Sequence, residues 1–137
     1  MKNPAFPAVR TYMDTETHAL SAGDDILVAV RRLIDEGVTD APVVDDAGNV
    51  VGMLSEYDCL RLLAEGRDGD PPRGRVQEFM STTFNAVPPT MDVYYVAGMF
   101  LREPTQRRFV VMEGQRLTGV VTRKDILRAV RVGLEGD

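Results

Sequence analysis

Apolar residues recur at helical spacing over Ile26, Ala29, Val30, Leu33 and Ile34, and again over Val93, Val96, Ala97, Phe100 and Leu101. Steps of three and four residues put each set on one helix face, and both faces read as core. Behind each helix come two short apolar runs. APVV (41–44) and VVGML (50–54) flank the turn-forming DDAGN, and RFVV (108–111) and LTGVV (117–121) flank EGQR. Such runs, bounded by Asp, Asn and Gly, predict strand pairs. A second helix then opens at Ser55 and at Thr122. Each half of the chain thus reads as strand or extended segment, helix, strand, strand, helix.

The halves are copies. GMLSEYD (52–58) and GVVTRKD (119–125) share glycine, hydroxyl residue and aspartate, and they lie 67 residues apart. That register runs without a gap from Tyr12 against Phe79 to Arg61 against Arg128. Met13 falls on Met80, Ala19 on Ala86, Asp25 on Asp92, Glu36 on Glu103 and Leu60 on Leu127. We place repeat 1 at residues 8–66, a Gly- and Pro-rich connector at 67–75 and repeat 2 at 76–134. A repeat of this size has too small a core to stand comfortably alone, so the copies are expected to pack on each other.

Ser/Thr-x-x-Asp at a helix start has an ordinary explanation. The hydroxyl accepts from an orphan N–H inside the helix, and the carboxylate reaches back to the capping residue's own N–H. The same turn also suits an anionic ligand, because free N–H groups and the positive end of the helix dipole face outward there. Both readings stay open for Ser55, Asp58, Thr122 and Asp125.

Charge sharpens the picture without settling it. The net charge is −5, but residues 1–70 hold 14 acids and 6 bases, whereas residues 71–137 hold 7 acids and 10 bases. The acidic balance argues against nonspecific nucleic-acid binding, and the basic second half leaves room for a small anion. One cysteine, Cys59, excludes an internal disulfide framework. No apolar run reaches the length of a membrane span, and the N-terminus lacks the apolar core of a signal peptide, so a cytoplasmic protein is expected. The lone His18 makes a poor metal site, since zinc needs several converging ligands. No Walker loop, G-x-G-x-x-G or G-x-S-x-G is present, and no triad has a defined geometry, so catalytic residues and enzyme activity are not expected.

APVVDDAGNVVGMLSEYDCLRLL (41–63), followed by RFVVMEGQRLTGVVTRKDILRAV (108–130), resembles a tandem pair of cystathionine β-synthase-type (CBS) domains, a Bateman module. The resemblance implies an α/β (α+β) fold of two β-α-β-β-α repeats packed with pseudo-twofold symmetry. It further implies a regulatory sensor that binds an adenosine-containing ligand between repeats: AMP, ADP, ATP, S-adenosylmethionine or NAD. A homodimer and a regulated protein partner follow from the same resemblance, with no required cofactor, nucleic acid or membrane. By the family pattern, one site combines Thr122, Arg123, Lys124 and Asp125 with Thr17, His18, Val38 and Thr39. The other combines Ser55, Tyr57 and Asp58 with Phe84, Asn85, Thr105, Gln106 and Arg107. In this pattern Asp58 and Asp125 read ribose hydroxyls, and the bases meet phosphates. The alternative is a ligand-free dimerisation or interaction module.

Overall fold

A computed structural model of the chain describes residues 7–65 and 73–134; most of the expected connector lies outside the described residues. The fold is α+β, with two three-stranded sheets and four α-helices. In the first half, β1 (Leu20–Ser21) runs parallel to β2 (Asp40–Val44), which pairs antiparallel with β3 (Val50–Ser55). Helix α1 (Ile26–Glu36) joins β1 to β2, and α2 (Glu56–Glu65) follows β3. The second half repeats the order as β4 (Ala86–Val87), α3 (Val93–Arg102), β5 (Arg108–Glu113), β6 (Arg116–Thr122) and α4 (Arg123–Leu134). Again the short strand is parallel to its neighbour and the hairpin is antiparallel.

Local chemistry fixes the elements. Asp25 caps α1 by accepting the Leu27 N–H, and Asp92 caps α3 by accepting the Tyr94 N–H, at 2.8 and 2.7 Å. Helix α1 ends at Gly37, whose φ of 67° is the left-handed conformation that glycine adopts at no steric cost. The β2–β3 turn closes on Asp45 Oδ1, which accepts from the N–H groups of Ala47 and Asn49.

The chain divides into two compact units that are not the two sequence copies. One unit is Thr17–Phe84, and the other joins the chain up to Glu16 with the chain from Asn85 onward. Each copy's lead-in has therefore moved into the other copy's unit. Val9 is fully buried among Val87, Val93, Val96, Phe100, Phe109 and Val121. Val76, 67 residues later, is buried among Leu20, Ile26, Ala29, Leu33, Val43 and Leu54. Val9 N–H donates to the Met91 carbonyl, and Val76 N–H donates to the Asp24 carbonyl. The lead-ins end in matching bridges: Asp14 exchanges two backbone hydrogen bonds with Val120, and Ser81 exchanges two with Met53.

Two positions expected in the core are not there. Ile34 and Leu101, the last members of the helical stripes, are 73% and 83% exposed. Each stripe extends past the sheet edge, so its final turn has no strand beneath it. Tyr94 and Tyr95 are exposed as well, while Cys59 is buried against its unit's core.

Candidate functional site

Both Ser/Thr-x-x-Asp turns are complete capping boxes. At α2, Asp58 Oδ2 accepts from the Ser55 N–H and hydroxyl at 3.0 and 3.1 Å, and Ser55 Oγ accepts the Asp58 N–H at 3.2 Å. At α4, Asp125 Oδ2 accepts the Thr122 N–H at 2.8 Å, and Thr122 Oγ1 accepts the Asp125 N–H at 3.3 Å. The copies differ in the second carboxylate oxygen. Asp125, only 4% exposed, receives Arg128 Nη2 on Oδ1 at 2.5 Å, and the same guanidinium reaches the Tyr12 carbonyl at 3.4 Å. Arg61, at the equivalent place, instead pairs with Glu65 at 3.9 Å. Sequence reading missed Arg128 as a support for this turn, although its i,i+3 spacing from Asp125 was the available signal.

Beside Thr122 lies an open recess of about 570 Å³, lined by Pro104, Thr105, Arg107, Thr122, Arg123 and Lys124. Arg123 is held structurally, because its Nη2 donates to the carbonyls of Pro104 and Gln106. That contact fastens the loop before β5 to the start of α4. Arg107 and Lys124 are exposed and line the recess with the first turn of the helix. The structure thus seats Arg107 with Thr122 and Lys124 of its own repeat, whereas the family pattern sets it opposite Ser55 and Asp58.

The Ser55 unit has the same frame with different chemistry. Glu56 N–H donates to the Thr39 carbonyl at 2.7 Å, again tying the loop before the strand to the helix start. The positions matching Arg107, Arg123 and Lys124 are Asp40, Glu56 and Tyr57. Two acids and a phenol therefore stand where the other unit has three bases.

The remaining expected residues divide between the units. Thr17, His18, Val38, Thr39 and Phe84 belong to the Ser55 unit, and Asn85, Thr105 and Gln106 belong to the Thr122 unit. Val38 and Thr39 line a groove with Glu56. His18 adopts a positive φ of 57° and bonds through Nδ1 to Glu36 Oε1 at 2.7 Å. That bond, followed by the one from Arg32, draws the Glu36 carboxyl below its ordinary range. Asn85 offers its carbonyl to the Val110 N–H at 3.3 Å. Burial, with the Asp58 charge second, pushes the Cys59 thiol up, so it stays protonated and a poor nucleophile. Among the described residues, no three His, Cys, Asp or Glu side chains converge on a metal position. No described helix is long and apolar enough to cross a membrane.

The doubled sheet-and-helix unit, each carrying the Ser/Thr-x-x-Asp turn, agrees with comparisons to known proteins. The sequence model of the CBS domain matches twice, at residues 9–65 and 76–132. The chain belongs to the CBS-domain family. This CBS pair is 32% identical over 127 residues to the A-adding tRNA nucleotidyltransferase of Aquifex aeolicus, covering 93% of the chain and 15% of that enzyme. It is also 32% identical over 110 residues to human 5'-AMP-activated protein kinase subunit gamma-3, covering 77% of the chain and 22% of the subunit. It therefore spans a minor part of both relatives. Among solved structures, CBSX2 of Arabidopsis thaliana in complex with AMP superposes with a TM-score of 0.77 at 25% identity, covering 93% of this chain and 98% of that one.

Proposed function

We propose that this CBS pair is a non-enzymatic regulatory module that binds an adenosine nucleotide and alters its contacts with a protein partner in response. The carrying observation is the convergence of Arg107 and Lys124 on the Thr122 recess at the start of α4. Two cations beside free helix N–H groups favour a phosphate, with Arg offering a fork and Lys a point charge. Asp40 and Glu56 at the matching positions of the other unit disfavour one. The reading is therefore one phosphate-bearing ligand per chain, of the AMP, ADP or ATP type. S-adenosylmethionine, with its sulfonium, suits the basic recess less well. The relative CBSX2 was crystallised with AMP, which supports the same class.

In this reading Asp125 meets the ribose, and Thr17, His18, Val38 and Thr39 supply the adenine end. The chain passes between units next to Thr17 and again at Phe84–Asn85. A ligand contacting the crossing segments shifts the population toward the arrangement that fits it, and a partner reads that arrangement. A cytoplasmic setting suits the lone thiol of Cys59.

Thermal melts with AMP, ADP, ATP, adenosine, NAD and S-adenosylmethionine test the reading. A phosphate-bearing nucleotide at 100 times its dissociation constant is expected to add about 2.7 kcal/mol. Lys124→Ala and Arg107→Ala should abolish the advantage of AMP over adenosine. A better response to S-adenosylmethionine than to any nucleotide would overturn the phosphate assignment. Unchanged melts with every compound favour the second reading, a ligand-free interaction module. The completed capping boxes support that alternative, since both motif aspartates already have partners.

A further inference from the structure

Each unit leaves an apolar groove open between its two helices. In the Ser55 unit the groove lies between α1 and α2, about 410–430 Å³ in size like its counterpart, with Val30, Leu33, Ile34, Leu60 and Leu63 along it. In the Thr122 unit it lies between α3 and α4, along Ala97, Phe100, Leu101, Ile126 and Leu127. Val30, Leu33, Ile34 and Leu60 match Ala97, Phe100, Leu101 and Leu127 in the 67-residue register. The protruding side chains are large and wet: Leu60 is 62% exposed and Leu127 67%, beside the exposed Ile34 and Leu101. Contiguous apolar surface of this kind marks a place where another surface docks.

The two grooves share a shape but carry opposite charge. Helices α1 and α2 hold five acids and three bases, whereas α3 and α4 hold one acid and five bases. The inversion falls at matching places beside the exposed apolar residues. Asp35, next to Ile34, corresponds to Arg102, next to Leu101. Around Leu60 stand Glu56, Tyr57 and Ala64, and around Leu127 stand Arg123, Lys124 and Arg131. These flanking residues are three or four positions from the leucine, hence on its side of the helix. The lone acid of α4, Asp125, is buried in the capping box and does not offset the basic rim.

We propose that a second copy of this chain covers these grooves head to tail. The α1/α2 groove of one copy seats on the α3/α4 groove of the other, and the reciprocal contact closes a twofold dimer. Leucines fill the centre, and acids face bases around the rim. A like-with-like arrangement would set the basic α3/α4 face against itself, where repulsion opposes the same apolar gain. The proposal rests on the grooves and their charge, and it stands whether or not a nucleotide binds.

Sedimentation equilibrium of the full chain tests it, over salt from about 0.05 to about 1 M. A dimer is expected whose dissociation constant rises at least about tenfold across that range as rim attraction is screened. Arg102→Glu with Arg131→Glu should weaken it at low salt, and adding Asp35→Arg with Glu56→Arg should restore it, because both contacts are complementary again. Circular dichroism of each variant separates misfolding from dissociation, and the salt response of the unaltered chain decides the matter if a variant fails to fold. A monomer at all concentrations, or a dimer tightened by salt, would overturn the proposal. So would a folded Arg102→Glu/Arg131→Glu variant that dimerises as before, a folded fourfold variant that does not recover, or growth past the dimer.

Discussion

The glycine that opens each heptad has a steric cause in the neighbouring lead-in. A Cβ on Gly52 would lie 2.6 Å from Met80 Sδ and 2.7 Å from the Ser81 carbonyl oxygen. On Gly119 it would lie 2.6 Å from Met13 Sδ and 3.0 Å from the Asp14 oxygen. Methionine is flexible enough to yield, but the carbonyls are fixed by the bridges to Met53 and Val120. Gly52→Ala is therefore expected to cost about 1–3 kcal/mol through overpacking. Gly119→Ala should cost less, since its backbone neighbour is farther off. Urea-unfolding midpoints of the two variants check the order, and equal midpoints with the parent would refute the steric account.

At the scale of elements, the two capping boxes should differ in worth. Asp58→Ala removes a half-buried cap, so a loss of about 0.5–2 kcal/mol is expected. Asp125→Ala also strands the Arg128 guanidinium and leaves the Thr122 N–H beside a buried gap, so its loss should be larger, about 2–4 kcal/mol. A double-mutant cycle with Arg128→Ala isolates the extra part. Additive losses would show that the guanidinium contributes nothing there. The helices and hairpins that carry these caps were legible in the sequence because period, turn residues and duplication all agree. The ends of the stripes were not, since periodicity shows which face Ile34 and Leu101 share but not where the sheet beneath them stops. The site was legible in part. Spacing located both turns, yet only the fold shows that Arg123 holds the Pro104 and Gln106 carbonyls, leaving Arg107 and Lys124 to face the recess.

For the whole molecule, sequence repeat and folding unit are different objects. A 67-residue register identifies Val9 and Val76 as equivalent apolar positions but says nothing about which copy buries each. Both lead-ins bury their valine in the other copy's core and end on the other copy's last strand. Cutting between the repeats separates each core from the segment that completes it, whereas cutting at the crossings keeps it. A fragment of residues 17–84 retains Val76, the Asp25–Arg75 bridge and the Met53–Ser81 bridge. A fragment of residues 9–65 loses all three and exposes Val9, which belongs to the other core. The 17–84 fragment is thus expected to unfold cooperatively on heating, with the 9–65 fragment melting lower or without a transition. Circular dichroism melts of both compare them directly. A 9–65 fragment as stable as 17–84 would mean that the exchanged lead-in adds little to its core.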